Sequence, residues 1–144
     1  MIEYIDELQK NFGKNLICKE NLSKYSWFNL GGPAEIFYRP ENKTQLIKFL
    51  NNIKNNKFKI HVLGAGSNTL IRDAGISGVV IKLGSKFSEI KLIKKDTLEV
   101  GAAALDRKVS DFATKNGISS LEFLSCIPGS IGGAVIMNSG CYGM

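Results

Sequence analysis

The chain has 144 residues, 44% of them hydrophobic, with 19 Lys and Arg against 13 Asp and Glu for a formal charge of +6. That length holds one domain with a real core or two small lobes, and no stretch approaches the roughly 18 apolar residues of a membrane span. Three cysteines without metal-site spacing and one histidine, His61, leave zinc little to bind and give a disulfide scaffold an odd count, so no metal site is expected.

The opening MIEYIDELQKNFG is amphipathic and acidic. Ile2, Ile5, Leu8 and Phe12 repeat at helical spacing, and Gly13 is a natural stop. It lacks the basic start and apolar middle of a signal peptide, so a cytoplasmic location is expected. Residues 22–34 hold Gly31, Gly32 and Pro33 and read as an extended lead-in closed by a turn. EIFYRP (35–40) reads as a strand ending at Pro40. Asn42 is a plausible N-cap for a helix whose buried stripe is Leu46, Ile47, Leu50 and Ile53. FKIHVLG (58–64) and GVVIKL (78–83) read as further strands, so strand, helix and strand suggest a parallel βαβ unit.

The pattern changes near Gly84, where a lobe boundary is expected. EIKLIKK (89–95) and TLEVGAA (97–103) alternate apolar and polar residues with only Asp96 between them, as in an antiparallel pair with one wet face. A helix follows with Val109, Phe112 and Ala113 inward and Asn116-Gly117 as its stop. LEFLS (121–125) suits a short strand or a turn, and Pro128-Gly129 opens a final glycine-rich segment.

Two loops carry chemistry. Gly64-Ala65-Gly66-Ser67-Asn68 follows a β-rich run, where glycines let backbone approach a ligand and successive N–H groups form a concave anion site. It matches neither the Rossmann nor the P-loop spacing, and a structural turn is as consistent with it as a phosphate cradle. Ile127-Pro128-Gly129-Ser130-Ile131-Gly132-Gly133-Ala134 precedes the apolar run to Met137 and reads as a helix N-terminus presenting unspent N–H groups to phosphate. A tight packing turn is its competing reading.

GAGSN with LIRDAGISGVVI, then LEFLSCIPGSIGGAVIMNSGCYG, closely resemble the N-terminal half of the UDP-N-acetylenolpyruvoylglucosamine reductase family, and SWFNLGGPAEIF resembles its N-terminal signature. The resemblance runs from about Leu22 to Met144. It implies an α+β FAD-binding fold of the vanillyl-alcohol-oxidase type, C-terminally truncated. Two small subdomains at 1–84 and 85–144 would make it up, the second incomplete and the substrate domain absent.

It further implies non-covalent FAD, with Gly64, Ala65, Gly66, Ser67 and Asn68 holding the pyrophosphate. Ile127, Pro128, Gly129, Ser130, Gly132, Gly133 and Ala134 would wrap the dinucleotide from the other side. The family's reaction uses NADPH to reduce the UDP-linked enolpyruvyl sugar to UDP-N-acetylmuramate in peptidoglycan synthesis. Its catalytic arginine, serine and glutamate match no residue here, so the chain alone is expected to be inactive and to contact the UDP-sugar only within the whole enzyme. Cys126 stands where the family commonly has glycine.

Other residues have plainer readings. His61 suits an ordinary strand histidine rather than a flavin attachment, Cys126 and Cys141 small packing residues, and Trp27 and Phe28 core. Arg72 and Asp73 could pair locally or touch the cofactor. The scattered lysines suit a solvated surface that gathers phosphate ligands, with no nucleic-acid or membrane partner expected. Two alternatives stand beside the reductase: a non-catalytic or vestigial nucleotide-binding protein, and another flavin oxidoreductase of the same superfamily.

Overall fold

The computed structural model describes residues 2–141 and 143. The chain forms two units, residues 1–63 with 69–84, and residues 64–68 with 85–144.

The first unit holds α1 (Ile2–Phe12), β1 (Leu16–Asn21), β2 (Pro33–Tyr38), α2 (Lys43–Ile53), β3 (Ile60–Val62) and β4 (Ile76–Ile81). The sheet order is β1-β2-β4-β3. β2 and β3 both run parallel to β4, so the expected βαβ unit is present with β4 lying between its two strands. β1 pairs antiparallel with β2, Leu16 opposite Tyr38. Its short polar sequence, LICKEN, carries no strand signature strong enough to read in advance.

The central strands are buried on both faces, so they read as continuous apolar runs. Ile36, Tyr38, Val79 and Ile81 pack with Leu8, Leu16, Phe49 and Ile53 on one side. Phe37 and Val80 pack with Leu22, Ala34, Leu63 and Ile71 on the other. Tyr38 stacks on Phe49 with ring centroids 4.0 Å apart, and its hydroxyl donates to the Gln45 carbonyl. Burial pushes its phenol up to about 12. Asn42 caps α2 as expected, accepting from the Gln45 N–H at 3.0 Å.

Three expectations fail here. Ile47 lies exposed and Phe49 takes its place in the stripe, because the helix rotates its buried arc toward the aromatic ring of Tyr38. Trp27 and Phe28 are not core: they are 61% and 57% exposed. The segment is not a simple extended lead-in either. Asn21 caps a 3-10 turn at Leu22–Tyr25, and its Leu22 and Tyr25 supply the burial.

The second unit holds β5 (Ile90–Lys94) and β6 (Thr97–Val100), then α3 (Asp106–Lys115) and α4 (Ile131–Met137). β5 and β6 pair antiparallel, with Lys94 opposite Thr97, so the turn is Lys95-Asp96 rather than Asp96 alone. Residues Glu122–Cys126 form a 3-10 turn. Ala104, Val109 and Leu124 make the core, with Ile90, Leu98, Val100, Ile127 and Ile131 packed on it. Val135, Ile136 and Met137 of α4 are exposed.

Candidate functional site

The first glycine-rich loop leaves the carboxyl end of β3 and clusters with the second unit, where the other loop lies. Gly66 is buried at the bend with φ 75, a left-handed conformation that favours glycine. Among the described residues, no hydrogen bond engages the N–H groups of Ala65, Gly66, Ser67 or Asn68. Successive backbone N–H groups left unspent are what an anion-binding nest requires.

The second loop rests on the strip Gly101–Asp106. Asp106 N–H donates to the Gly129 carbonyl at 3.2 Å, Ile131 N–H to Ala104 at 2.9 Å and Gly132 N–H to Ala102 at 2.9 Å. The strip is held from its other side, with Gly101 N–H on the Glu89 carbonyl and Ala103 N–H on Phe87. Two of the helix N-terminal donors expected to face phosphate are therefore spent on protein carbonyls. The small side chains of the strip allow the backbones to meet so closely. The N–H groups of Gly129, Ser130 and Gly133 have no acceptor among the described residues. Ile127 is packed on the core, Pro128 is exposed, and Ala134 is half-buried with its N–H on the Ser130 carbonyl.

Ser130 joins the two loops. It is 4% exposed and gives no side-chain cap to α4. A Cβ built on Gly64 would lie 2.9 Å from its Oγ. Glycine stands at 64 because the Ser130 hydroxyl occupies that space.

Asp106 escaped the sequence reading. It opens α3, is fully buried, and neither carboxyl oxygen has a hydrogen-bond partner among the described residues. Burial pushes its carboxyl above the usual range. An acid following small and apolar residues at a helix start was the available signal, but it also suits an ordinary exposed first-turn carboxylate.

The remaining candidates lie elsewhere. His61 is exposed on the edge strand β3. Arg72 and Asp73 are exposed, and the Arg72 carbonyl accepts from the Gly32 N–H at 3.0 Å. Cys126 is exposed rather than packed, since the 3-10 turn directs it outward, and burial pushes the Cys18 thiol up. No group of three metal-ligating side chains occurs among the described residues, and no helix there is long and apolar enough to cross a membrane.

A family profile described as an FAD binding domain matches residues 34–144. The chain belongs to this FAD-binding domain family, and its α+β fold is of the vanillyl-alcohol-oxidase type. The particular proteins it resembles are UDP-N-acetylenolpyruvoylglucosamine reductases. It is 50% identical over 142 residues to that of Pelagibacter ubique, covering 96% of this chain and 46% of the relative. It is 46% identical over 138 residues to that of Phenylobacterium zucineum, covering 96% and 45%. The crystal structure of the Thermus caldophilus reductase superposes with a TM-score of 0.67 at 31% identity, over 88% of this chain and 42% of that one. The chain thus spans less than half the length of these relatives.

The donor set fits FAD. A pyrophosphate takes hydrogen bonds from successive backbone N–H groups without needing a side-chain cation, and Ala65–Asn68 offer such a run beside Ser130.

Proposed function

We propose that this chain is the cofactor-holding part of a UDP-N-acetylenolpyruvoylglucosamine reductase, which uses NADPH to form UDP-N-acetylmuramate for peptidoglycan. The observation that carries the proposal is the run of four unspent N–H groups at Ala65–Asn68, set against a second glycine-rich loop through Ser130. Family membership and the reductase relatives support it.

In this reading Gly64, Ala65, Gly66, Ser67 and Asn68 hold the pyrophosphate of non-covalent FAD. Gly129, Ser130 and Gly133 contribute the donors that the Gly101–Asp106 strip leaves unspent. Ile127, Pro128, Gly132 and Ala134 shape the loop. FAD, when bound, supplies a two-electron carrier between the nicotinamide and the enolpyruvyl double bond. The net charge of +6 steers phosphate-bearing ligands toward the protein. No residue of this chain is assigned the proton transfer, and Ser130 is turned against Gly64 rather than outward.

The test has two arms. FAD titration should quench flavin fluorescence saturably, and acid precipitation should release all the flavin. The chain supplied with NADPH and the UDP-sugar should form no UDP-N-acetylmuramate, because positioning and proton delivery together supply many orders of magnitude in rate. Substrate-dependent turnover by the chain alone would refute the assignment of roles.

A further inference from the structure

We infer that Asp106 is the positioning residue of the second glycine-rich loop, its carboxyl setting the conformation of Gly129 and Ser130 from beneath. A Cβ built on Gly129 would lie 2.7 Å from Asp106 Oδ2. The carboxyl therefore occupies the space beside Gly129 that a side chain there would need. The backbone repeats the link, since Asp106 N–H donates to the Gly129 carbonyl and Leu105 bridges to Ser130.

A fully buried carboxyl without a hydrogen-bond partner among the described residues is costly, and its place in the fold calls for an explanation. Its nearest neighbours explain the use. The unspent N–H groups of Gly129 and Ser130 belong to the turn that the carboxyl abuts. Fixing that turn fixes the direction of those donors. The carboxyl holds the turn by its shape, filling the space beside Gly129, while the Asp106 N–H holds the Gly129 carbonyl. Burial raises the Asp106 pKa, which favours the neutral acid and spares an anionic ligand a buried charge nearby.

The role in cofactor affinity rests on the FAD reading above; the role in loop geometry does not. The experiment separates them. Amide hydrogen exchange is measured on the full chain without FAD for wild type, D106A, D106N and G129A, and FAD affinity is measured alongside. D106A and G129A should each speed exchange at 127–133 by about tenfold while α3 and the 3-10 turn Glu122–Cys126 keep their protection. D106N, of the same shape, should restore wild-type exchange. The D106A/G129A double variant should lose less than the sum of the singles, because removing the carboxyl removes the clash. Loosening spread across α3, failure of D106N to restore protection, or additive singles would overturn the inference. If D106A does not fold, G129A and D106N decide it. Wild-type protein that shows the loop effect yet binds no FAD would refute the cofactor reading and leave the positioning role standing.

Discussion

Replacing Gly64 with alanine tests directly whether the two loops meet. The new Cβ would sit 2.9 Å from Ser130 Oγ, a separation that real Cβ atoms essentially never show. Ser130 is 4% exposed, so its hydroxyl has little room to swing aside. Overpacking of this kind costs about 1–3 kcal/mol. At this chain length that lowers the melting temperature by roughly 4 °C per kcal/mol. Ser130→Ala alone removes a hydroxyl and should cost about 1 kcal/mol or less. In the double variant the offending oxygen is gone, so the two costs should fall short of their sum by about 1 kcal/mol. Urea unfolding of wild type, G64A, S130A and G64A/S130A measures all four corners. Costs that add to within about 0.5 kcal/mol would mean the loops do not touch, and the cradle would lose its geometric basis.

Gly66→Val places a β-branched residue at φ 75, costing roughly 1–3 kcal/mol of apo stability, and should lower FAD affinity by more than that free energy; equal losses in melting and titration experiments would reassign Gly66 to the fold. Gly132→Val should instead lower apo stability at least as much as affinity, since its Cβ would already lie 3.0 Å from the Ala102 carbonyl oxygen. Phe49→Ala removes the ring stacked on Tyr38 and should cost about 3–5 kcal/mol by denaturant unfolding, whereas Ile47→Ala at the exposed position should cost far less. The raised pKa of Asp106 means that its contribution to stability is fully present below its unfolded value near 3.8 and is lost as pH rises through the folded value. D106N should therefore unfold with a flatter pH dependence than wild type over that window, and an unchanged slope would show that Asp106 does not titrate on unfolding.

The regular elements were legible wherever one period dominated. α1, α2 and α3 declare themselves through apolar spacing and stop signals, and the β5–β6 hairpin through alternation. β1 was not legible, because a six-residue strand in which Leu16 alone is buried, with Cys18 and Glu20 half-buried, has too few apolar residues to mark its inward face. Trp27 and Phe28 mislead by their size alone; hydrophobicity says nothing of what covers a residue. Of the candidate site, both glycine-rich loops were visible as motifs. The Gly101–Asp106 strip was not, since its role lies in backbone carbonyls that consume the Ile131 and Gly132 N–H groups. Side-chain chemistry cannot announce a backbone acceptor, and Asp106 looks ordinary until its burial is known.

The most direct test of the FAD cradle is backbone NMR of the chain during titration with FAD. The expected result is saturable shifts concentrated on the amides of Ala65, Gly66, Ser67 and Asn68, with Gly129, Ser130 and Gly133 following at the same FAD concentrations. A folded chain whose loop amides stay unmoved at high micromolar FAD, or whose shifts fall wholly outside these two loops, would contradict it.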